Sequence, residues 1–277
     1  MSYFLGIDGG GTGCRAAIAD GSGRIIGQGA AGPANISVET EMACANILAA
    51  ARAALADAGR GHLDELAAVL GLAGANVAAA TRSLQAMLPF RHTRIVTDAV
   101  TAATGALGGE DGIVAAMGTG SVFAVQIGGE MRQYGGRGFL LGDEGSGAVL
   151  GRTLLSEALR AQDGFAAMSP LLGAVLDELG GVEGAISFGL HARPAEFAAF
   201  APRVVAGDDP AGERIFTAAL AQIRAMIDTL QAGRGLPVVF LGGLGAHYAA
   251  RLQGLWPMRP PRGSALDGAL HLARQGA

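Results

Sequence analysis

Residues 3–29, YFLGIDGGGTGCRAAIADGSGRIIGQG, form an apolar run that enters a glycine-threonine-glycine turn and leaves it as a second apolar run. Residues 111–136, DGIVAAMGTGSVFAVQIGGEMRQYGG, repeat the pattern, with Gly118, Thr119 and Gly120 standing 107 positions after Gly11, Thr12 and Gly13. At the same offset Gly21 falls on Gly128, where each copy makes its next turn. Glycine lets a turn adopt positive φ and approach a ligand without a Cβ in the way, so consecutive N–H groups can face phosphate oxygens. A single glycine turn between strands needs no such explanation. Two copies in register point to one phosphate-gripping hairpin used by two domains.

Composition narrows the classes. The 277 residues are half apolar, 16% charged and rich in glycine, with 46, which fits an α/β protein of two core-bearing domains with many tight turns. A net charge of −4 and 5% aromatic content give neither the basic footprint nor the stacking surface of a nucleic-acid binder. All twenty cations are arginine. Without lysine there is neither a P-loop nor a protein-kinase site, both of which need it beside their glycines. The two cysteines, Cys14 and Cys44, lack metal-ligand spacing and read as buried free thiols in a reducing compartment. The chain enters a strand at once and its most apolar stretch, 66–80, is interrupted by Asn76, so no membrane span is expected and the cytoplasm is the default location.

The first half predicts strands at about 2–8, 14–20 and 24–30, a helix at 38–58, a strand at 66–72, a helix at 76–87, and a strand at 93–97 running into a helix at 99–107. The second predicts strands at about 112–117, 121–127 and 131–135, helices near 145–161, 169–179, 194–206 and 209–231, a strand at 238–241, and a last helix from about 264. Antiparallel strands followed by βαβ units make mixed sheets with helices on their faces. The glycines at 105, 108 and 109, with Glu110 and Asp111, place a boundary between an N-terminal domain over 1–108 and a larger one over 109–263.

Several polar residues fall where chemistry is carried, each with an ordinary alternative. Asp8 closes the first strand beside the glycines and suits a hydrated Mg2+ near phosphate, or simply its own turn. Asp98 ends a strand and begins a helix, as a base orienting a hydroxyl or as a helix cap; the two uses are compatible. Asn35, in Gly32-Pro33-Ala34-Asn35-Ile36-Ser37, offers donor and acceptor to a sugar, or turn chemistry. In GGRGFLLGDEGSG, residues 135–147, Asp143 reads as a ligand contact, while Glu144 is adequately explained by a helix start. The turn Gly242-Gly243-Leu244-Gly245 would admit a flat ligand against bare backbone, and neither it nor residues 9–13 has the dinucleotide G-x-G-x-x-G spacing.

In order and spacing, GIDGGGTGCRAAI, GPANIS, TDA at 97–99, GTGS at 118–121, GGRGFLLGDEGSG, FLGGLG at 240–245 and GSALDGAL at 263–270 resemble the actin-like ATPase and sugar kinase superfamily. Within it they are similar to the N-acetylglucosamine kinase group of the BadF/BadG/BcrA/BcrD-type ATPase family, which also holds activators of acyl-CoA reductases and dehydratases. The resemblance implies two α/β domains of actin-like (ribonuclease H-like) fold, each with a mixed five-stranded sheet, around a central cleft. It implies that the last helix, about 264–277, packs on the N-terminal domain. It further implies ATP and Mg2+ as cofactors, Asp8 near the metal, and Gly10, Gly11, Thr12, Gly118, Thr119, Gly120, Ser121 and Gly243 around the nucleotide. Asn35, Asp98, Arg137, Gly138 and Asp143 would meet an amino sugar, with Asp98 as base, in a cytoplasmic homodimer that makes a 6-phosphate. Arg137 stands where this group commonly has tryptophan. The rival expectation, an ATP-driven electron activator, requires cysteines near the second hairpin, and there are none there.

Overall fold

The computed structural model describes residues 3–59 and 61–276. Ser2, where the sequence starts the first strand, and Ala277, the expected end of the last helix, lie outside the described residues. The chain divides into two compact units. The first comprises Met1–Asp111, Gln126–Arg132 and Pro260–Ala277, and the second Gly112–Val125 and Gln133–Arg259.

In the first unit, β1 (Tyr3–Gly9), β2 (Cys14–Ala19), β3 (Ile25–Ala31), β4 (Leu66–Leu72) and β5 (His92–Thr97) form one mixed sheet in the order β3-β2-β1-β4-β5. The hairpin strands pair antiparallel and β1, β4 and β5 run parallel. β4 is buried along its whole length, as expected of a parallel strand covered on both faces. The alternation along β1 shows those faces. Leu5 and Ile7 join Ile47 and Ala51 of α1 (Thr40–Ala58), while Phe4 joins Ala269 and Leu270 of α11 (Ala265–Gln275).

The seat of α11 depends on missing side chains. It crosses α3 (Asp98–Leu107) so closely that a Cβ on Gly268 would lie 2.0 Å from the Thr101 carbonyl oxygen, and one on Gly105 would lie 1.8 Å from that of Ser264. Ser264 and Asp267 form a capping box at the start of α11, with the Ser264 hydroxyl accepting from the Asp267 amide.

The second unit holds a four-stranded sheet in the order β8-β7-β6-β9, built from β6 (Gly112–Met117), β7 (Ser121–Ile127), β8 (Glu130–Gly135) and β9 (Val238–Leu241). β6 and β9 pair in parallel, Ala116 opposite Leu241. The sheet has four strands among the described residues, where five were expected. Beside β9 the returning chain makes one parallel bridge, Val238 to Met258. Pro257, Pro260 and Pro261 flank it, and a residue without an N–H cannot extend a ladder.

Helices α4 (Gly147–Gln162), α5 (Pro170–Leu179) and α9 (Pro210–Gln231) supply much of this unit's core. The helix expected at 194–206 is two, α7 (Pro194–Ala198) and α8 (Ala201–Val205), because Pro202 opens the second. The sequence reading missed α6 (Gly181–His191), which contains three glycines, poor helix formers, and buries only Ala185. The unit boundary also departs from the expected 108/109 break. The tip of the β7–β8 hairpin belongs to the first unit, where Gln126 Nε2 donates to the Glu110 carbonyl at 3.0 Å and the Gly128 amide to Asp111 Oδ1 at 2.8 Å.

Gly268→Val drives two methyl groups and a Cβ into the α3 backbone. It is expected to lower unfolding stability by about 2 kcal/mol or more, the usual cost of overpacking. Urea unfolding followed by circular dichroism measures this, and an unchanged midpoint would contradict the close crossing.

Candidate active site

The parallel register places the first unit's polar residues. Gly9 is opposite Leu72 and Leu72 opposite Thr97, so β1, β4 and β5 end on one line at their carboxyl edge. Asp8 stands one residue before that line and Asp98 one residue beyond it. Open α/β sheets bind ligands at this edge. α3, which carries Asp98, can lie on the sheet because Gly71 has no side chain; a Cβ there would sit 2.0 Å from Thr101 Oγ1.

Asp98 is reachable from solvent, with Oδ1 accepting the Ala99 amide at 2.8 Å. Protein around the carboxyl raises its pKa by burial, the Ala99 amide pulls it back, and the charge of Asp8 raises it again. Asp8 has a partner that the sequence reading missed. The four-residue turn Gly10–Gly13 pairs residue 8 with residue 15, and Arg15 donates to Asp8 Oδ2 at 2.5 Å. The mirror symmetry of the hairpin about that turn was the signal that could have found it.

Asn35 is tied to the same edge. The Ala34 amide donates to the Gly10 carbonyl at 2.8 Å and the Ile36 amide to the Ala73 carbonyl at 3.1 Å. Asn35 Oδ1 accepts from the amide and hydroxyl of Ser37, at 3.1 and 2.8 Å, so the turn chemistry is present and the Nδ2 donors remain uncommitted among the described residues.

The hairpin glycines depart from expectation informatively. Gly10, Gly11, Gly13, Gly118 and Gly120 are not among the positive-φ residues. A Cβ on Gly10 or Gly11 would meet nothing within 4 Å. The fold itself therefore does not demand glycine at 10 and 11. What glycine preserves there is an open backbone surface.

In the second unit the turn that begins at Gly118 lies beside the turn that carries Gly243. β6 and β9 end side by side, the Leu244 amide donates to the Met117 carbonyl at 3.0 Å, and a Cβ on Gly242 would lie 2.4 Å from that oxygen. Gly243 itself faces open space. The first turns of α4 bind the hairpin from behind, the Gly147 and Ala148 amides donating to the Gly118 and Thr119 carbonyls at 2.8 and 3.1 Å. The Ser121 hydroxyl is committed to the Glu144 carbonyl at 2.8 Å, which leaves the exposed Thr119 with the available hydroxyl of that turn.

Asp143 is buried, with a left-handed φ of 57° that is uncommon outside glycine. Its Oδ1 accepts the Gly138 amide at 3.2 Å, and a Cβ on Gly120 would lie 2.7 Å from Oδ2. Burial raises its pKa, the amides of Gly138 and Ser121 oppose that, and Glu144 adds to it. Asp143 thus joins the 138–142 loop to the glycine turn. Tyr248, in α10 (Gly245–Arg251), holds the next bend by donating to the Gly145 carbonyl at 2.6 Å. Arg137 is exposed with no ion pair or side-chain hydrogen bond among the described residues. Leu140 and Leu141 are 84% and 86% exposed on the same loop.

The site residues thus fall into two sets, Asp8, Gly10, Gly11, Thr12, Asn35 and Asp98 in the first unit and Gly118 to Ser121, Arg137, Gly138, Asp143 and Gly243 in the second. The BadF/BadG/BcrA/BcrD ATPase family model matches residues 5–253. This chain belongs to that family. Among its relatives, the glucosamine kinase of Vibrio cholerae is 31% identical over 99% of this chain and 96% of its own length. The N-acetylmuramic acid/N-acetylglucosamine kinase of Clostridium acetobutylicum is 30% identical over 65% of this chain and 60% of its own. A crystal structure from Chromobacterium violaceum, provisionally named an N-acetylglucosamine kinase, superposes with a TM-score of 0.84 at 31% identity, covering 99% of both chains. The fold extends to a ROK family glucokinase from Streptomyces griseus, with a TM-score of 0.56 at 18% identity over 99% of this chain and 100% of that one. The family's architecture is thus that of actin-like sugar kinases.

Because the folded state raises the Asp98 pKa, the ionised carboxylate is disfavoured relative to the unfolded chain. At pH 7 this opposes folding, and the penalty fades as pH falls through the folded pKa. Asp98→Asn is therefore expected to unfold at a higher temperature than the wild type at pH 7, with the difference shrinking toward pH 4. Differential scanning calorimetry reads both; a variant less stable at pH 7 contradicts the assignment.

Proposed function

We propose that this protein is an ATP-dependent kinase of amino sugars, acting on N-acetylglucosamine to give the 6-phosphate. The observation that carries the reading is the pair of glycine hairpins with open backbone at Gly10, Gly11 and Gly243, together with carboxylates at the sheet edge. The identity to two kinases of glucosamine and N-acetylated amino sugars supports the amino-sugar class.

The roles divide by unit. In the second, the amides of Gly118 to Gly120 and the Thr119 hydroxyl would cradle phosphate, with adenosine lying over Gly243 and Ser121 holding the turn. In the first, Gly10, Gly11 and Thr12 would supply further donors. Without lysine, backbone amides, hydroxyls and a metal must carry the phosphate charge.

The donor set fits Mg2+. Asp8 and Asp98 are hard oxygen ligands close enough to interact electrostatically, and Mg2+ keeps several waters and takes one or two carboxylates. Bound there, it would neutralise charge on the transferring phosphoryl group. Asp8 would hold it, with Arg15 fixing the carboxylate. Asn35 and the loop bearing Gly138 and Asp143 would position the sugar, and Asp98 would orient its hydroxyl and accept the proton. The raised pKa of Asp98 makes it a better base than an ordinary aspartate.

The Vibrio relative favours glucosamine as a second reading. The unpaired Arg137 favours the N-acetylated sugar, because a guanidinium on the sugar loop repels a substrate ammonium. An electron-transferring activator is a poor fit to the thiols. Cys14 is 1% exposed with its pKa pushed up to about 12 by burial and by Asp8, and Cys44 is also buried.

ADP release measured over N-acetylglucosamine, glucosamine, N-acetylmannosamine, muramic acid derivatives and neutral hexoses is expected to be highest with N-acetylglucosamine. A blank on every amino sugar would sink the reading. Asp98→Ala should bind ATP as the wild type does and lose transfer by about 100-fold or more. In Arg137→Ala the preference for N-acetylglucosamine over glucosamine should fall by about tenfold, a 1.4 kcal/mol change in relative kcat/KM. An unchanged ratio removes Arg137 from specificity.

A further inference from the structure

A cavity of about 380 Å³ opens in the first unit, and none of the residues assigned to phosphoryl transfer lines it, although α3 carries Asp98 and β7 carries Ser121. Three segments form its wall. β5 and α3 supply Arg94, Val96 and Val100, the β7–β8 tip supplies Glu130 and Arg132, and α11 supplies His271. The tip is fixed by the Gln126 and Gly128 hydrogen bonds to residues 110 and 111, so this wall is built rather than incidental.

Arg94 and Arg132 are both exposed, and neither has an ion pair or a side-chain hydrogen bond among the described residues. Seven other arginines, at 15, 24, 203, 214, 224, 251 and 262, are paired with carboxylates, whereas these two guanidiniums line one cavity. Glu130 is the one acid in the lining, which leaves an excess of positive charge.

We propose that this cavity is a second ligand site, for a small phosphate ester the size of a sugar phosphate. Guanidinium forks match phosphate oxygens bidentately, and two of them compensate a dianion. Val96, Val100 and Leu272 provide an apolar floor for the organic part, and the volume exceeds what a bare phosphate would occupy. The His271 ring lies against the wall at Gly109, where a Cβ would be 3.0 Å from Nε2, and adds a polar group to the rim. The inference does not rest on the kinase reading, since it concerns different residues and is read by binding.

Isothermal titration of the full chain with glucose 6-phosphate, inorganic phosphate and citrate tests it. Glucose 6-phosphate should bind with one site attributable to the cavity, more tightly than inorganic phosphate. The double variant Arg94→Ala/Arg132→Ala should weaken that binding by at least about tenfold, as expected for loss of charge-assisted hydrogen bonds. Glu130→Gln, which removes the opposing charge, should tighten it by about threefold. Both variants alter exposed side chains and should keep the wild-type rate of ADP release with sugar and ATP. Hydrogen exchange should show slowing at 126–132 and in α11 on binding. Equal affinity in the double variant, tighter citrate than sugar phosphate, or no binding at about 10 mM probe overturns the proposal.

Discussion

Register between β1, β4 and β5 is the constraint on which the first unit's chemistry depends. Backbone hydrogen bonds place Gly9, Leu72 and Thr97 on one line, and neighbouring strands lie about 4.8 Å apart. Residues remote in sequence therefore reach one edge without any long side chain having to span the gap. A slip of one residue on β5 would turn Asp98 from the edge and exchange the faces of that strand. The burial of β4 on both faces makes such a slip costly, because every one of its residues is already in a core.

The second constraint is absence of side chains, used in two distinct ways. At Gly71, Gly105 and Gly268 the absence lets elements approach within distances that no Cβ would tolerate, and this seats α3 and α11. At Gly10, Gly11 and Gly243 nothing in the protein fills the space that a Cβ would take, and φ is not left-handed. The first group answers to folding. The second leaves bare backbone, the feature on which the proposed nucleotide contacts draw.

Electrostatics follows from the same layout. The hairpin sets Arg15 against Asp8, while Asp98 is left with backbone donors and the repulsion of a second carboxylate. A surface ion pair of this kind is worth at most about 1 kcal/mol, so its consequence lies in orientation rather than stability. In the second unit Asp143 spends its carboxylate on amides of the loop and the glycine turn, and Tyr248 fixes Gly145 behind it. A mobile-looking glycine segment is thereby held by two buried polar groups.

The sequence by itself determined the duplicated hairpin, the mixed α/β sheets and most element positions, because strand alternation, glycine turns and capping residues are local signals. It also marked Asp8, Asn35, Asp98 and Asp143, since each sits at the boundary of a periodic run. Tertiary structure alone decided what these residues touch. The Arg15 partner arises from hairpin pairing, the turn of Ser121 and Asp143 into backbone contacts arises from the seat of α4, and the arginine-lined cavity arises from three segments that share no sequence pattern. The helix at 181–191 and the fifth strand reduced to one bridge were settled there too, the second because prolines ended pairing. Contacts between distant segments depend on register and close approach, and neither is written in any local stretch of chain.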